Sequence, residues 1–438
     1  MTSENIGTNR RSCMSATMPS VDAWNKLDGV DLFAEYDKAV TTSEDGATDP
    51  HVLYDELREQ GMVQKIDVLT ETFKLPYSMA APNGNRPVYT FFGYEPVLTA
   101  YRHPEVFSST VLQESIGRAQ GKNLIQVDPP EHTRLRKLLA ATFSKKQLDH
   151  WKTDVVEPIV ANVMADIVSD GEADLMAKLA LWLPIRVVHE IIGLDADKLE
   201  DFHRLAVGLQ LIKTRPDLAL ASSAALAEML GNEIAERRSA PGGDSTIDVL
   251  IDARVDGEMP LTDDEILAFL RVLLPAGGET TTRALGSLLV GLLNDPRQLD
   301  SLREDRSLLP WAIEEAIRWE SPTQFNYRIT LEDTELDGVQ IPAGSGINLC
   351  LAAANRDPSR WEDPHSFDIH RTRRAHVAFG FGAHTCIGMH LARVEVQVAM
   401  NAILDRMPNL RIDDGRAPLV VEGTTFRWPK SVPVRWDV

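Results

Sequence analysis

From Glu131 to about Asp295, apolar residues recur at spacings of three and four, and runs with strand-like alternation are few. A stretch of that length asks for one helix packed on another, which commits the chain to a mainly α architecture. The flanks add less regular pieces. Asp49-Pro50 is a start signal for a helix through His51 to Gln60, and Arg86 to Phe92 (RPVYTFF) reads as a short strand bounded by Pro and Gly. Beyond the helical middle, Leu308 to Trp319 is a further helix, and Ile329 to Leu351 holds short strands broken by Asp-Gly and Pro-Ala-Gly. Leu391, Val394 and Val398 mark a late helix, and Val420 to Trp436 reads as extended. The expected fold class is mainly α with a smaller β region. Residues 1–45, rich in Ser, Thr, Asp and Gly, read as a poorly ordered lead-in where no function is expected, and 46–438 as a single domain.

Composition narrows the function. The formal charge of -20 argues against nucleic acid or an anionic membrane as partner, because an acidic surface repels both. Cys13, Cys350 and Cys386 are too few and too scattered for a disulfide framework, which fits a reducing, cytoplasmic compartment. The polar start carries no apolar core of the kind an export signal needs. Arg271, Glu279 and Arg283 interrupt the most apolar stretches, Ile266 to Leu274 and Ala284 to Leu293, so no membrane anchor is expected.

The chemistry concentrates in Phe379-Gly-Phe-Gly-Ala-His-Thr-Cys386-Ile-Gly388, where a Gly-rich loop feeds a helix. Backbone N–H groups at a helix start favour negative charge, and the thiolate is the form of cysteine that binds metal. Gly380, Gly382 and Gly388 leave no side chain to hold a large flat ligand off the backbone. A dinucleotide loop is a weaker reading, since Thr385 stands where its third glycine belongs. A zinc site from His376, His384, Cys386 and His390 lacks a paired CxxC or HExxH spacing.

FGFGAHTCIG resembles the haem-binding signature of the cytochrome P-450 family. The resemblance extends from about Asp49 to the end of the chain. It implies a triangular, mostly helical fold with haem b between a long distal helix and the cysteine loop. Cys386 would be the axial ligand, with Phe379, Gly380 and Gly388 against the cofactor and His376 reaching a propionate. Three more segments agree with family elements. Glu315-Ala-Ile-Arg318 places carboxylate and guanidinium on one helix face and resembles the family's Glu-x-x-Arg element. By that resemblance it meets Arg371, or failing that Arg356, and holds the thiolate loop. Leu274-Pro-Ala-Gly-Gly-Glu-Thr-Thr-Thr282 resembles the distal oxygen-activation groove, with Thr280 donating to oxygen and Glu279 relaying protons. Pro275 departs from the usual residue there. Asp128-Pro-Pro-Glu-His132-Thr-Arg-Leu-Arg136 resembles the propionate-binding helix, and Arg328 matches another propionate partner.

What the resemblance implies is an O2-dependent monooxygenase, and a peroxide-driven haem enzyme or a haem carrier or sensor are the alternatives. No flavin or nicotinamide domain is expected in the residues after Cys386, so electrons from NAD(P)H would arrive through a separate ferredoxin reductase and ferredoxin. Lys137, Lys145, Lys146, Arg373 and Arg374 are candidates for the docking patch. By position relative to the motifs, the substrate pocket is expected at Leu112, Ile116, Leu209, Leu273, Ala276, Gly277, Thr323, Phe325 and Phe426. These are mostly apolar, which implies a lipophilic small molecule.

Overall fold

The computed structural model describes residues 20–41, 49–413 and 418–438, and its side-chain description leaves out a few positions within these, Leu274 among them. Helices dominate, as the three-and-four spacing requires. Two of them, α1 (Ser20–Leu27) and α2 (Leu32–Thr41), lie inside the segment expected to be a lead-in. Their apolar faces explain the order: Ala23, Leu27 and Leu32 are buried in one cluster with Leu205, Leu226 and Leu230. Residues 1–19 and 42–48 of that segment lie outside the described residues.

Helix α3 (Pro50–Gln60) begins as its sequence prescribes, with the Asp49 carboxylate accepting the His51 N–H at 3.1 Å and Pro50 in the first turn, where no amide hydrogen is needed. The propionate-type segment forms α4 (Glu131–Leu139). Helices α5 (Leu199–Leu209) and α6 (Pro216–Ser239) pack on each other, and α1 lies against α6 while α2 lies against α5. A capping box opens α7 (Asp263–Leu274): the Glu265 N–H donates to the Thr262 hydroxyl at 3.2 Å, and the Thr262 N–H donates to the Glu265 carboxylate at 2.9 Å. Next come a π-helical turn over Pro275–Glu279 and α8 (Thr280–Asn294), in which every residue from Thr281 to Leu293 is buried. Leu285, Leu288 and Leu292 of α8 share one core with α9 (Leu309–Trp319) and α10 (Met389–Arg406), the helix after the cysteine.

Beside a three-stranded and a two-stranded sheet, the largest part of the β region is a five-stranded sheet in the order β1-β2-β5-β4-β3. Its strands are β1 (Val63–Gln64), β2 (Val88–Phe91), β3 (Phe107–Ser108), β4 (Phe325–Thr330) and β5 (Gly346–Cys350). β2 and β5 run parallel with Val88 opposite Gly346, and β4 is antiparallel to β5 with Arg328 opposite Ile347. Alternation along β4 sends Asn326 and Arg328 to one face and Phe325 and Tyr327 to the other. Asn326 donates to the Tyr101 hydroxyl at 2.6 Å and Arg328 stacks over the same ring at 5.3 Å, whereas Phe325 packs with Tyr54, Phe92 and Cys350. Among the described residues, no helix is long and apolar enough to cross a membrane.

Candidate active site

The cysteine loop is a tight backbone construction. The Cys386 N–H donates to the Phe379 carbonyl at 2.8 Å and the Gly380 N–H to the Val377 carbonyl at 2.9 Å. Gly380 and Gly382 adopt φ of +70° and +68°, and an added Cβ would meet the His384 carbonyl oxygen at 3.1 Å or the Tyr101 carbonyl oxygen at 3.0 Å, so both positions need glycine. A Cβ on Gly388 would meet nothing within 4 Å, so the protein itself leaves that side open. The backbone N–H groups of Gly388 and Met389 point at the sulfur, with the Arg136 and Arg393 guanidiniums nearby, and all four favour the thiolate. Desolvation by the surrounding loop and helix opposes them and raises the thiol above its ordinary value, although the side chain is exposed on its open side.

Around the sulfur stand cationic and imidazole groups, of which Arg393 is paired with Glu314 and His384 lies 3.9 Å from an Asp128 carboxylate oxygen. Arg136 donates to the Thr385 carbonyl at 2.7 Å and so ties α4 to the cysteine loop. Arg328, buried on β4, donates to its neighbouring Tyr327 carbonyl at 2.7 Å. Among the described residues neither is ion-paired to a carboxylate, and desolvation lowers the pKa of both. His132 is buried with its Nε2 unpartnered, and burial pushes its pKa down to about 4.

The His376 side chain is buried with its Nε2 unpartnered, 3.2 Å from a Glu314 carboxylate oxygen but without a hydrogen bond to it, and Arg393 holds the same carboxylate at 2.7 and 2.8 Å. The histidine in the expected surroundings is His384, which sequence reasoning placed only in a discarded zinc site. Its ring lies 4.3 Å from that of His132, and its Nε2 is 3.1 Å from the Ser109 hydroxyl. The signal was available: His384 is two residues before Cys386, inside the same loop. Among the described residues no group of three or more His, Cys, Asp or Glu side chains is arranged to hold a metal ion, so the zinc reading has no geometry.

The structure brings Glu315, Arg318 and Arg371 together in a buried network. Arg318 grips Glu315 with Nε and Nη2, both at 2.8 Å, and Arg371 Nε donates to the same carboxylate at 3.0 Å. Arg356, the fallback, is instead paired with Glu320 at 2.8 Å, in a separate cluster with Arg427 and His51. From Arg318 the connections run toward the cysteine loop. Its Nη1 donates to the Asn355 carbonyl at 3.0 Å, and the Asn355 side chain accepts the Val377 N–H at 2.8 Å.

The distal helix breaks where the sequence weakens it. Proline lacks an amide hydrogen and glycine costs helix stability, so Pro275-Ala-Gly-Gly-Glu279 widens into the π-helical turn. Thr280 Oγ1 donates to the Ala276 carbonyl at 2.6 Å, across that turn. Glu279 is asymmetric. Its Oε2 accepts from the Tyr36 hydroxyl at 3.0 Å and also from Arg283, while Oε1 is buried without a partner. Arg283 lies flat over Phe426 at 4.1 Å. Tyr36 belongs to α2, so the segment where no function was expected reaches the candidate acid.

The expected pocket walls are placed unevenly. Ala276 is exposed, and Gly277, Ile116, Thr323 and Phe426 are half-buried. Leu112 and Leu273 are at the edge of burial. Phe325 and Leu209 are corrections: the alternation of β4 turns Phe325 into the Tyr54 cluster, and Leu209 is enclosed within the core of α5 and α6.

A family model described as Cytochrome P450 matches residues 219–408. The cytochrome P450 monooxygenase PikC of Streptomyces venezuelae is 34% identical over 90% of this chain and 92% of its own length. The chain belongs to the cytochrome P450 family. A steroid C26-monooxygenase of Mycolicibacterium smegmatis is 34% identical to this P450 over 78% of the chain and 86% of that protein. The crystal structure of CYP109E1 from Bacillus megaterium in complex with testosterone superposes with a TM-score of 0.77, at 28% identity, covering 89% of this chain and all of that one. The P450 is thus an oxidoreductase with the family's mainly helical fold, and the family implies haem and O2. The residues described above fit that cofactor: an open-faced sulfur with N–H groups turned to it, and half-buried Arg136 and buried Arg328 without ion-paired carboxylates, as two propionates would require.

Proposed function

We propose that this P450 inserts one oxygen atom into a lipophilic small molecule, by hydroxylation or epoxidation, using electrons from NAD(P)H passed through a separate reductase and ferredoxin. Bound haem supplies the oxidising chemistry, in which the second oxygen atom of O2 leaves as water. Cys386 would hold its iron through the sulfur, with Phe379, Gly380 and Gly388 lining the site. Arg136, Arg328, His132 and His384 would hold its propionates. The Glu315, Arg318 and Arg371 network keeps the loop that carries the sulfur in place, through Asn355 and Val377.

The observation that carries the reading is the pair Glu279 and Thr280 at the opened turn. One carboxylate oxygen of Glu279 is clamped by Tyr36 and Arg283, which fixes the side chain, and the other is free to take and release a proton. The Thr280 hydroxyl, held only by the Ala276 carbonyl, is able to turn and donate to a group lodged in the groove. Relatives named for steroids support a lipophilic substrate. Exposed Arg373 and Arg374, which follow Arg371 of the network, support a basic docking face for an acidic ferredoxin.

The test is Thr280→Ala with product, NAD(P)H and peroxide counted together. Product per NAD(P)H is expected to fall by about tenfold or more, within the range of losses from a missing proton-transfer group, while turnover driven by added peroxide persists. Full coupling in that variant would remove Thr280 and the relay from the mechanism.

A further inference from the structure

A cavity lies where α2, the turn after α5 and the C-terminal extended segment meet, with Tyr36, Tyr77, Gln210, Lys213, Thr425 and Phe426 on its walls. Lys213 is the unusual member. It sits in the short turn Gln210–Lys213, and its ammonium lies 4.3 Å from the centre of the Tyr77 ring. Among the described residues no carboxylate is within ion-pair distance of it, although this chain has 65 acidic residues against 45 basic ones. Nearby cations are treated differently: Arg215 meets both Glu35 and Asp217, and Lys198 meets Asp195 and Glu233. Desolvation in this half-buried turn, with no carboxylate to offset it, pushes the Lys213 ammonium down to about 7. A neighbouring anion would reverse that shift, and the gain would appear as binding energy.

The cavity shares its walls with the oxidising side of the molecule. Tyr36 on one wall donates to Glu279 at 3.0 Å, and Phe426 on the other lies under Arg283 at 4.1 Å. Thr425 accepts the Gln324 N–H at 3.2 Å, beside the expected substrate wall at Thr323. We propose that Lys213 is a specificity residue that binds the carboxylate of a lipophilic substrate, with the apolar body of that molecule running past Phe426 toward the Glu279 and Thr280 groove. This rests on the monooxygenase reading and names its substrate class. A single cation matches a single negative charge, and the Gln210 amide and the Thr214 and Thr425 hydroxyls offer further hydrogen bonds. A phosphate, carrying nearly two charges, would remain under-neutralised, and an amine would be repelled. The aromatic walls select an organic anion over an inorganic one.

The experiment compares acid and ester pairs on the holoenzyme: hexadecanoate with methyl hexadecanoate, and 5β-cholanate with methyl 5β-cholanate. Kd is read both from the haem spin-state change and from tryptophan fluorescence. In at least one pair the acid is expected to bind at least tenfold more tightly than its ester. Lys213→Met should bring that ratio to about one, with ester binding reporting that the cavity is intact, and Lys213→Arg should restore most of the preference. Equal affinity for acid and ester in both pairs, or a preference that survives Lys213→Met, overturns the proposal. A neutral steroid, progesterone, separates the two levels. If it shifts the spin state while acids gain nothing, the carboxylate site fails and the monooxygenase reading stands; if no ligand of any charge perturbs the haem, the reading beneath it fails as well.

Discussion

Replacing Glu315 by glutamine keeps the shape of the side chain and removes the one negative charge that Arg318 and Arg371 share. The wild-type carboxylate accepts four hydrogen bonds, from Arg318 Nε and Nη2 at 2.8 Å and from Arg371 Nε and the Asp368 N–H at 3.0 Å. An amide has one acceptor oxygen, so its nitrogen turns two donors toward donors. Arg318, only 2% exposed, then has no counter-charge. Removing one partner of a buried pair costs roughly 3–5 kcal/mol. The lower end applies, because Arg318 keeps the Asn355, Pro364 and Ser366 carbonyls at 3.0, 2.9 and 3.1 Å. We expect a loss of about 3 kcal/mol, measured as a lower urea midpoint by tryptophan fluorescence with an unchanged slope. Glu314→Gln is the comparison: Glu314 is also paired, with Arg393, but its side chain is 23% exposed, and about 1 kcal/mol is expected. If Glu315→Gln costs no more than Glu314→Gln, the network is not what holds this part of the fold.

Tyr36→Phe removes one donor from Glu279 and leaves Arg283 in place; product formed per NAD(P)H should fall by about two- to tenfold, and wild-type coupling would make Tyr36 a packing residue only. Glu395 is buried without a partner for Oε2, and burial pushes its carboxyl pKa well up. The folded state therefore favours the protonated form, so wild-type stability is complete below the unfolded value of 4.5 and declines as pH rises above it. Glu395→Gln should accordingly be more stable than wild type by about 1–2 kcal/mol at pH 7, with the gain vanishing below pH 4.5 in thermal melts. Arg374→Glu should slow reduction by ferredoxin several-fold at low salt and little at high salt, whereas Lys137→Glu should do less, because Lys137 is already paired with Glu258 at 3.1 Å.

Elements whose parts are adjacent in sequence were readable from it. The cysteine loop, the Glu315 and Arg318 pair and the Pro275–Glu279 turn each carry their geometry within a few residues, where glycine, proline and helical spacing act directly. Phe325 shows a failure that was avoidable. It is three residues from Arg328, and an odd separation on a strand means opposite faces, so the two were not able to serve one site. Tyr36 shows one that was not: it stands 243 positions from Glu279, and nothing local to either residue announces the contact.

Pairing separates the buried charges of this chain into two kinds. Glu315 with Arg318 and Arg371, and Glu320 with Arg356 and Arg427, are closed on themselves: each acid is met by two guanidiniums, so they hold structure and have nothing to offer a ligand. Among the described residues, buried Arg328 and half-buried Arg136, Arg271 and Lys213 have no carboxylate within ion-pair distance, and Arg271 instead donates to the Ser223 carbonyl at 3.1 Å. Acidic residues outnumber basic ones in this sequence, so a carboxylate for each would have been easy to supply. Leaving a cation desolvated and unpaired costs stability unless an anion from outside completes it. On the function proposed above, two propionates would account for Arg136 and Arg328, which lie near the cysteine loop and on β4. They do not account for Lys213, which lies across the molecule's distal side with Tyr36 and Phe426, and that remainder is the physical reason to expect a charged end on the substrate.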